Sequence, residues 1–187
     1  PHNVQNVLAT VAVAHHVGLS AAQIAAGLAS YAHLKRRCEV RGVVRGITVL
    51  DDFAHHPTAI AETMSALRLR YPKRRIWAVF EPRSASSRRN VFQKDFVTAF
   101  SGADCTILTN IFAPEKLSEE LRLNPTQVIA DLTALGHIGF LIPTADEIVA
   151  FLLGRLLPGD LVCIMSSGGF GGIYTNLVSG LKEKGTL

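Results

Sequence analysis

Five short, predominantly apolar runs constrain this chain more than any other feature. They cover residues 47–50, 75–80, 105–109, 138–142 and 161–165, and from residue 58 onward segments of helical spacing separate them. Runs this short, without polar alternation, read as strands buried on both faces, and helices between them imply parallel pairing. The expected fold class is therefore α/β, a Rossmann-like, mostly parallel sheet with helices on both faces. Ahead of it, residues 38–44 alternate, Arg45-Gly46 turns the chain and residue 47 begins the return, which predicts a β-hairpin. The helices are expected at 58–70, 91–100, 126–135, 145–157 and 173–181, with Pro125 opening the third and Thr144 capping the fourth.

The first residues follow another pattern. Val4, Val7, Leu8, Val11, Val13 and Ala14 recur at helical spacing, Gly18 stops them, and Ser20 with Gln23 forms a capping-box pattern before a second helix to about residue 32. Such an N-terminal helical hairpin has a strong apolar face but is too small to build its own core. Residues 1–34 accordingly read as the end of a preceding domain, and residues 35–187 as a second one.

Composition narrows the class. A 48% hydrophobic content supplies a core, yet no run is long enough to span a bilayer. The opening Pro1-His2-Asn3-Val4 lacks the pattern of a signal peptide. Cys38, Cys105 and Cys163 are odd in number and far apart, as expected of free thiols in a reducing cytoplasm and not of a metal site. The net charge of +4 gathers in residues 35–37, 68–75 and 83–89 without interleaved aromatics, which favours a small anionic ligand over nucleic acid.

Chemistry is expected where strands give way to loops, because those loops share one edge of a parallel sheet. Asp51-Asp52-Phe53-Ala54-His55-His56-Pro57 follows the first buried run, and its proline opens a helix. Carboxylates and imidazoles at a helix start suggest a nucleotide site, Asp52 taking a hydroxyl or a metal-bound water and His55 facing phosphate. The plainer alternative is an aspartate N-cap beside two solvated histidines. The next candidate loop, 81–89, offers Arg83 and Arg88, whose guanidinium forks match carboxylates or phosphates, flanking serines such as Ser84 that could orient a peptide or carboxylate. The last, 166–172, is rich in glycine and permits close backbone approach to an anion. No P-loop pattern, nucleophile elbow or paired-histidine metal motif occurs, so triphosphate binding in the P-loop manner has no residues here.

The Asp51 to Pro57 stretch resembles the C-terminal-domain signature of the Mur ligases, and His2-Asn3-Val4-Gln5-Asn6 resembles the segment that closes their central ATPase domain. Glu81-Pro82-Arg83-Ser84, Asn110-Ile111-Phe112 with Pro114-Glu115-Lys116, and Met165 to Ile173 are most similar to the murein peptide ligase branch. Ser167 departs from an expected asparagine, and Ala85-Ser86-Ser87 from a bulkier stretch. The resemblance implies a cytoplasmic, ATP- and Mg²⁺-dependent, ADP-forming amide ligase of peptidoglycan recycling. It would join UDP-N-acetylmuramate to the tripeptide L-Ala-γ-D-Glu-meso-diaminopimelate through an acyl phosphate. On that resemblance Asn3, Asn6, Asp52 and His55 would meet the nucleotide, with His55 near the transferred phosphoryl group as the catalytic residue. Arg83, Ser84, Arg88, Gly168 and Gly169 would receive the peptide. No metal ligand is assigned to this chain; the P-loop and the Mg²⁺ site would belong to N-terminal and central domains that precede it, so residues 1–187 alone are expected to be inactive. Two other readings stay open: the muramate–alanine ligase, and a non-catalytic nucleotide- or protein-binding α/β module. A nicotinamide oxidoreductase would rest on the glycine loop alone.

Overall fold

The computed structural model describes residues 2–32 and 34–184, so positions 1 and 33 of the predicted N-terminal segment lie outside the described residues. It divides into two compact units, Pro1–Lys35 and Arg36–Leu187.

In the first unit, α1 (His2–His16) and α2 (Ala21–Ala29) form the hairpin. Ser20 and Gln23 cap α2 reciprocally, as their spacing predicts. The helix stops short of residue 32 because Ser30 turns its hydroxyl back onto the Gly27 carbonyl, 3.1 Å away, a local bond that competes with propagation. Val4, Leu8 and Val13 are exposed.

The second unit is the expected α/β sheet, with strand order β1-β2-β6-β3-β4-β5. Strands β1 (Glu39–Val44) and β2 (Ile47–Asp52) form the antiparallel hairpin, and Arg45 and Gly46 at its bend both take left-handed φ. Strands β3 (Ile76–Phe80), β4 (Cys105–Leu108), β5 (Ile138–Leu141) and β6 (Leu161–Met165) pair in parallel. On one face, α3 (Pro57–Arg70), α4 (Gln93–Ala99) and α5 (Pro125–Ala134) bury Ile60, Met64, Phe96 and Leu132 against Phe80, Cys163 and Met165. On the other, α6 (Ala145–Leu153) and α7 (Ile173–Glu183) bury Ile148, Leu152, Ile173 and Leu177 against Val49, Val79 and Ile164.

Boundaries differ where local chemistry overrides the apolar pattern. The helix expected over 91–100 begins as a 3-10 turn, Asn90–Phe92, because Phe92 leaves the helical region before α4 starts. Helix α6 ends at Leu153 because Gly154 takes the C-cap and Pro158-Gly159 follows. The loop from β4 to α5 holds two more 3-10 turns, Pro114–Lys116 and Glu119–Leu121.

In the basic cluster over 68–75, three arginines bind the sheet's amino edge. Arg74 donates to the carbonyls of Gly46, Gly159 and Asp160, Arg75 pairs with Asp160 at 2.6 Å, and Arg68 with Asp104 at 2.6 Å. At the opposite, carboxyl edge, the helices after β2 and β3 fall on one face and the helix after β6, between them, falls on the other. The loops therefore diverge there and leave a crevice.

Phe80 closes the core beneath that crevice, its ring 5.3 Å from Phe96 and 5.8 Å from Phe100. Phe80→Ala is expected to cost about 3–5 kcal/mol in urea unfolding, as for other buried aromatics cut to alanine.

Candidate functional site

Residue by residue, the carboxyl edge is built around Arg36. Its backbone sits at φ +58, where a side-chain-bearing residue is uncommon. From there Nε donates to Asp51 Oδ1 at 3.2 Å, and Nη2 to the carbonyls of Ser166 at 2.6 Å and Gly168 at 2.8 Å. The guanidinium thus ties the end of β2 to the loop after β6, and lies 5.2 Å from the Phe53 ring.

The adjacent carboxylate, Asp52, is 3% exposed and faces inward. One oxygen accepts from the Cys38 amide at 2.7 Å, the other from the Ala54 amide at 2.7 Å. Burial, and then the Asp52 charge, push the Cys38 thiol up to about 12. His55 directs Nδ1 at the Phe53 carbonyl, 2.8 Å away; with the proton on Nδ1, Nε2 is left with a lone pair. The N-cap of α3 is His56 and not an aspartate: its Nδ1 accepts from the Thr58 amide at 3.3 Å, and its ring packs edge-on against Phe92.

Two loops that the sequence proposes separately come together. Arg83 lies across Gly168 so closely that any side chain at 168 would run into its guanidinium. It stacks on the Phe112 ring, 3.7 Å from the centroid, and its Nη1 is 3.5 Å from Glu81 Oε1. Glu81 in turn accepts the Ser166 hydroxyl at 2.5 Å, and that hydroxyl oxygen accepts from the Gly168 amide at 2.9 Å. Beyond this, Phe170, Gly171 and Gly172 are left-handed in succession, bending the chain into α7.

Other nominated residues have inward partners. Ser84 organises its own turn with Ser86 and Ser87. Arg88 donates to the Phe112 and Ala113 carbonyls, and its Nε is buried without a partner among the described residues. Gly169 is exposed, and Asn3 and Asn6 are exposed on α1 in the first unit. A cavity of about 320 Å³ opens at the carboxyl ends of β3, β4 and β5, lined by Glu81, Thr109, Asn110, Phe112, Thr144 and Phe170 among others. Among the described residues no group of three or more His, Cys, Asp or Glu converges as a metal site.

Sequence reasoning passed over Arg36, Glu81 and Ser166. Glu81 had a readable signal, a carboxylate directly after a fully buried strand. Arg36 was visible only as a member of the basic cluster over 35–37, because its clasping role depends on a left-handed backbone.

Two outcomes are expected. Gly168→Ala displaces Arg83 from Phe112, removing ring-current shifts from the Arg83 side-chain resonances. Cys38, with about a thousand-fold less thiolate than a free thiol at neutral pH, resists iodoacetamide near pH 8 in the native state and reacts once unfolded.

Residues 36–168 match the family model described as Mur ligase, glutamate ligase domain. The chain is 36% identical over 184 residues to UDP-N-acetylmuramate--L-alanyl-gamma-D-glutamyl-meso-2,6-diaminoheptandioate ligase of Haemophilus influenzae, covering 98% of this chain and 38% of that one. It is 35% identical over 196 residues to UDP-N-acetylmuramate--L-alanine ligase of Trichormus variabilis, covering 99% of this chain and 37% of that protein. The crystal structure of a murein peptide ligase from Psychrobacter arcticus 273-4 superposes with a TM-score of 0.75 and 33% identity, over 97% of this chain and 37% of that one. The chain thus spans little more than a third of the relatives it matches, and within that span it belongs to the Mur ligase family, in its glutamate ligase domain.

Proposed function

We propose that this chain is the C-terminal part of an ATP-dependent, ADP-forming amide ligase that joins UDP-N-acetylmuramate to L-Ala-γ-D-Glu-meso-diaminopimelate. Residues 1–34 are then the end of a central ATPase domain, and residues 35–187 the domain that receives the acceptor. Identities of 36% and 35% do not choose between the peptide and alanine activities of the relatives. The observation that carries the peptide reading is the cavity at the ends of β3, β4 and β5. Its volume of about 320 Å³ falls within the range of small-molecule sites and far exceeds what the methyl group of an alanine would fill.

In this reading the muramoyl carboxylate oxygen attacks the γ-phosphorus of ATP and ADP departs. The acceptor amine then attacks the acyl carbon, phosphate leaves and the amine loses a proton. The chain's own groups bind and orient. Arg83, held over Gly168, takes a peptide carboxylate; Arg88 and Ser84 fix the loop that carries it; and Gly169 leaves room for the peptide backbone. His55 offers Nε2 toward the phosphoryl group. Asn3, Asn6 and the Asp52 turn contribute to the nucleotide's surroundings, Asp52 through the backbone it braces. In this reading Mg²⁺ would be held mainly by the central domain, where it would supply charge neutralisation. The reading expects a cytoplasmic enzyme, since ATP is the phosphoryl donor.

The test is ADP release by a full-length ligase carrying this segment, given ATP, Mg²⁺ and UDP-N-acetylmuramate. Release with the tripeptide and not with L-alanine is expected. Release with L-alanine alone would assign the second activity, and silence with both would return the chain to a non-catalytic role. Arg83→Ala is expected to raise KM for the tripeptide by about 10- to 100-fold, the worth of a charge-assisted hydrogen bond.

A further inference from the structure

Among the described residues Glu81 is the only charged side chain lining the cavity, and it is 9% exposed. A carboxylate so buried is costly unless its oxygens are matched by donors. Oε2 has one, the Ser166 hydroxyl at 2.5 Å. Oε1 has only Arg83 Nη1 at 3.5 Å, beyond a good charged hydrogen bond, because that guanidinium is spread flat on Phe112. The cavity that Glu81 lines also carries two phenyl rings, Phe112 and Phe170, and no cation among the described residues lines it. The first turn of α6 closes one side, its Thr144 and Glu147 amides already taken by the capping box.

Resting on the ligase reading above, we propose that Glu81 is a specificity-determining residue. Its Oε1 receives a primary ammonium at the far end of the acceptor peptide, while Arg83 beside it takes the neighbouring carboxylate. The pair is spaced as a receptor for a zwitterion. The diaminoheptandioate residue of the acceptor offers such a group, since its second carbon centre carries a free amine and a free carboxylate. The reacting amine is the other one, at the alanyl end. Lattice geometry of the sheet keeps the two ends apart. His55 follows β2 and the cavity centres on β4, three strand spacings away, or about 14 Å. An extended tripeptide covers about 10 Å of that, and the diaminoheptandioate side arm extends it.

The experiment compares three acceptors in a full-length ligase carrying this segment, wild type and Glu81→Gln, reading kcat/KM from ADP release. One is the tripeptide. The second carries L-2-aminopimelate in the last position, which keeps the far carboxylate and lacks the far amine. The third carries L-lysine, which keeps the amine and lacks the carboxylate. Wild type is expected to prefer the tripeptide over the aminopimelate peptide by about 10- to 100-fold. In Glu81→Gln that preference collapses toward unity, while the ratio of tripeptide to lysine peptide holds. A wild-type enzyme that accepts the aminopimelate peptide as readily as the tripeptide overturns the assignment, whether or not the variant folds. So does a Glu81→Gln enzyme that loses the same factor on all three, since Glu81 would then only brace Ser166. Absence of ADP release with every acceptor would instead overturn the ligase reading on which the assignment rests.

Discussion

The carboxyl edge of the sheet depends on one guanidinium. Arg36 bonds a carboxylate at the end of β2 and two carbonyls in the loop after β6. Those carbonyls belong to a segment that forms no regular structure, so without Arg36 they would have to find water in a crowded edge. Because the loop is held from that side, Gly168 presents an open surface on which Arg83 can lie. Glu81 then completes the chain of contacts through Ser166. Arg83 and Glu81 are therefore positioned by a residue outside their own loop.

Most of the architecture was legible because it follows from period and punctuation. Unbroken apolar runs such as 161–165 could only be central strands, and Ser20, Thr144 and Pro125 mark helix starts by mechanisms that act locally. What was not legible depended on tertiary partners. An aspartate at the end of β2 looks like a helix cap until burial turns it inward and gives the cap to His56. Arg88 looks like an anion receptor in a polar loop until the next loop supplies carbonyls for it. Arginines at 74 and 75 resemble a binding patch in sequence, yet they satisfy carbonyls and Asp160 at the far edge. Arginine's fork serves a backbone as well as a substrate, and the sequence does not say which.

Strain at this edge has a common pattern. Arg36, Cys38, Ala113 and Phe170 all take left-handed φ, and all border the loops that meet around Arg83 or the Asp51-Asp52 turn. Each such residue costs on the order of 1–3 kcal/mol and persists only where surrounding contacts over-determine it. Here the contacts are the buried Asp52 hydrogen bonds and the Arg36 clasp, with Arg88 on the Ala113 carbonyl and core packing of Phe170.

The position of β6 has a consequence for how the chain reaches this state. It is the last strand in sequence and lies between β2 and β3, which do not pair with each other. Until residues 161–165 arrive, the hairpin β1-β2 and the strip β3-β4-β5 are separate, each showing an unpaired edge at what becomes the middle of the sheet. During synthesis the unit is therefore committed late, with nearly its whole length made before the sheet can close. Parallel pairing over such long separations is slow, and open edges in the meantime invite association with other chains. A truncation before Leu161 would remove the strand that makes the two halves one sheet.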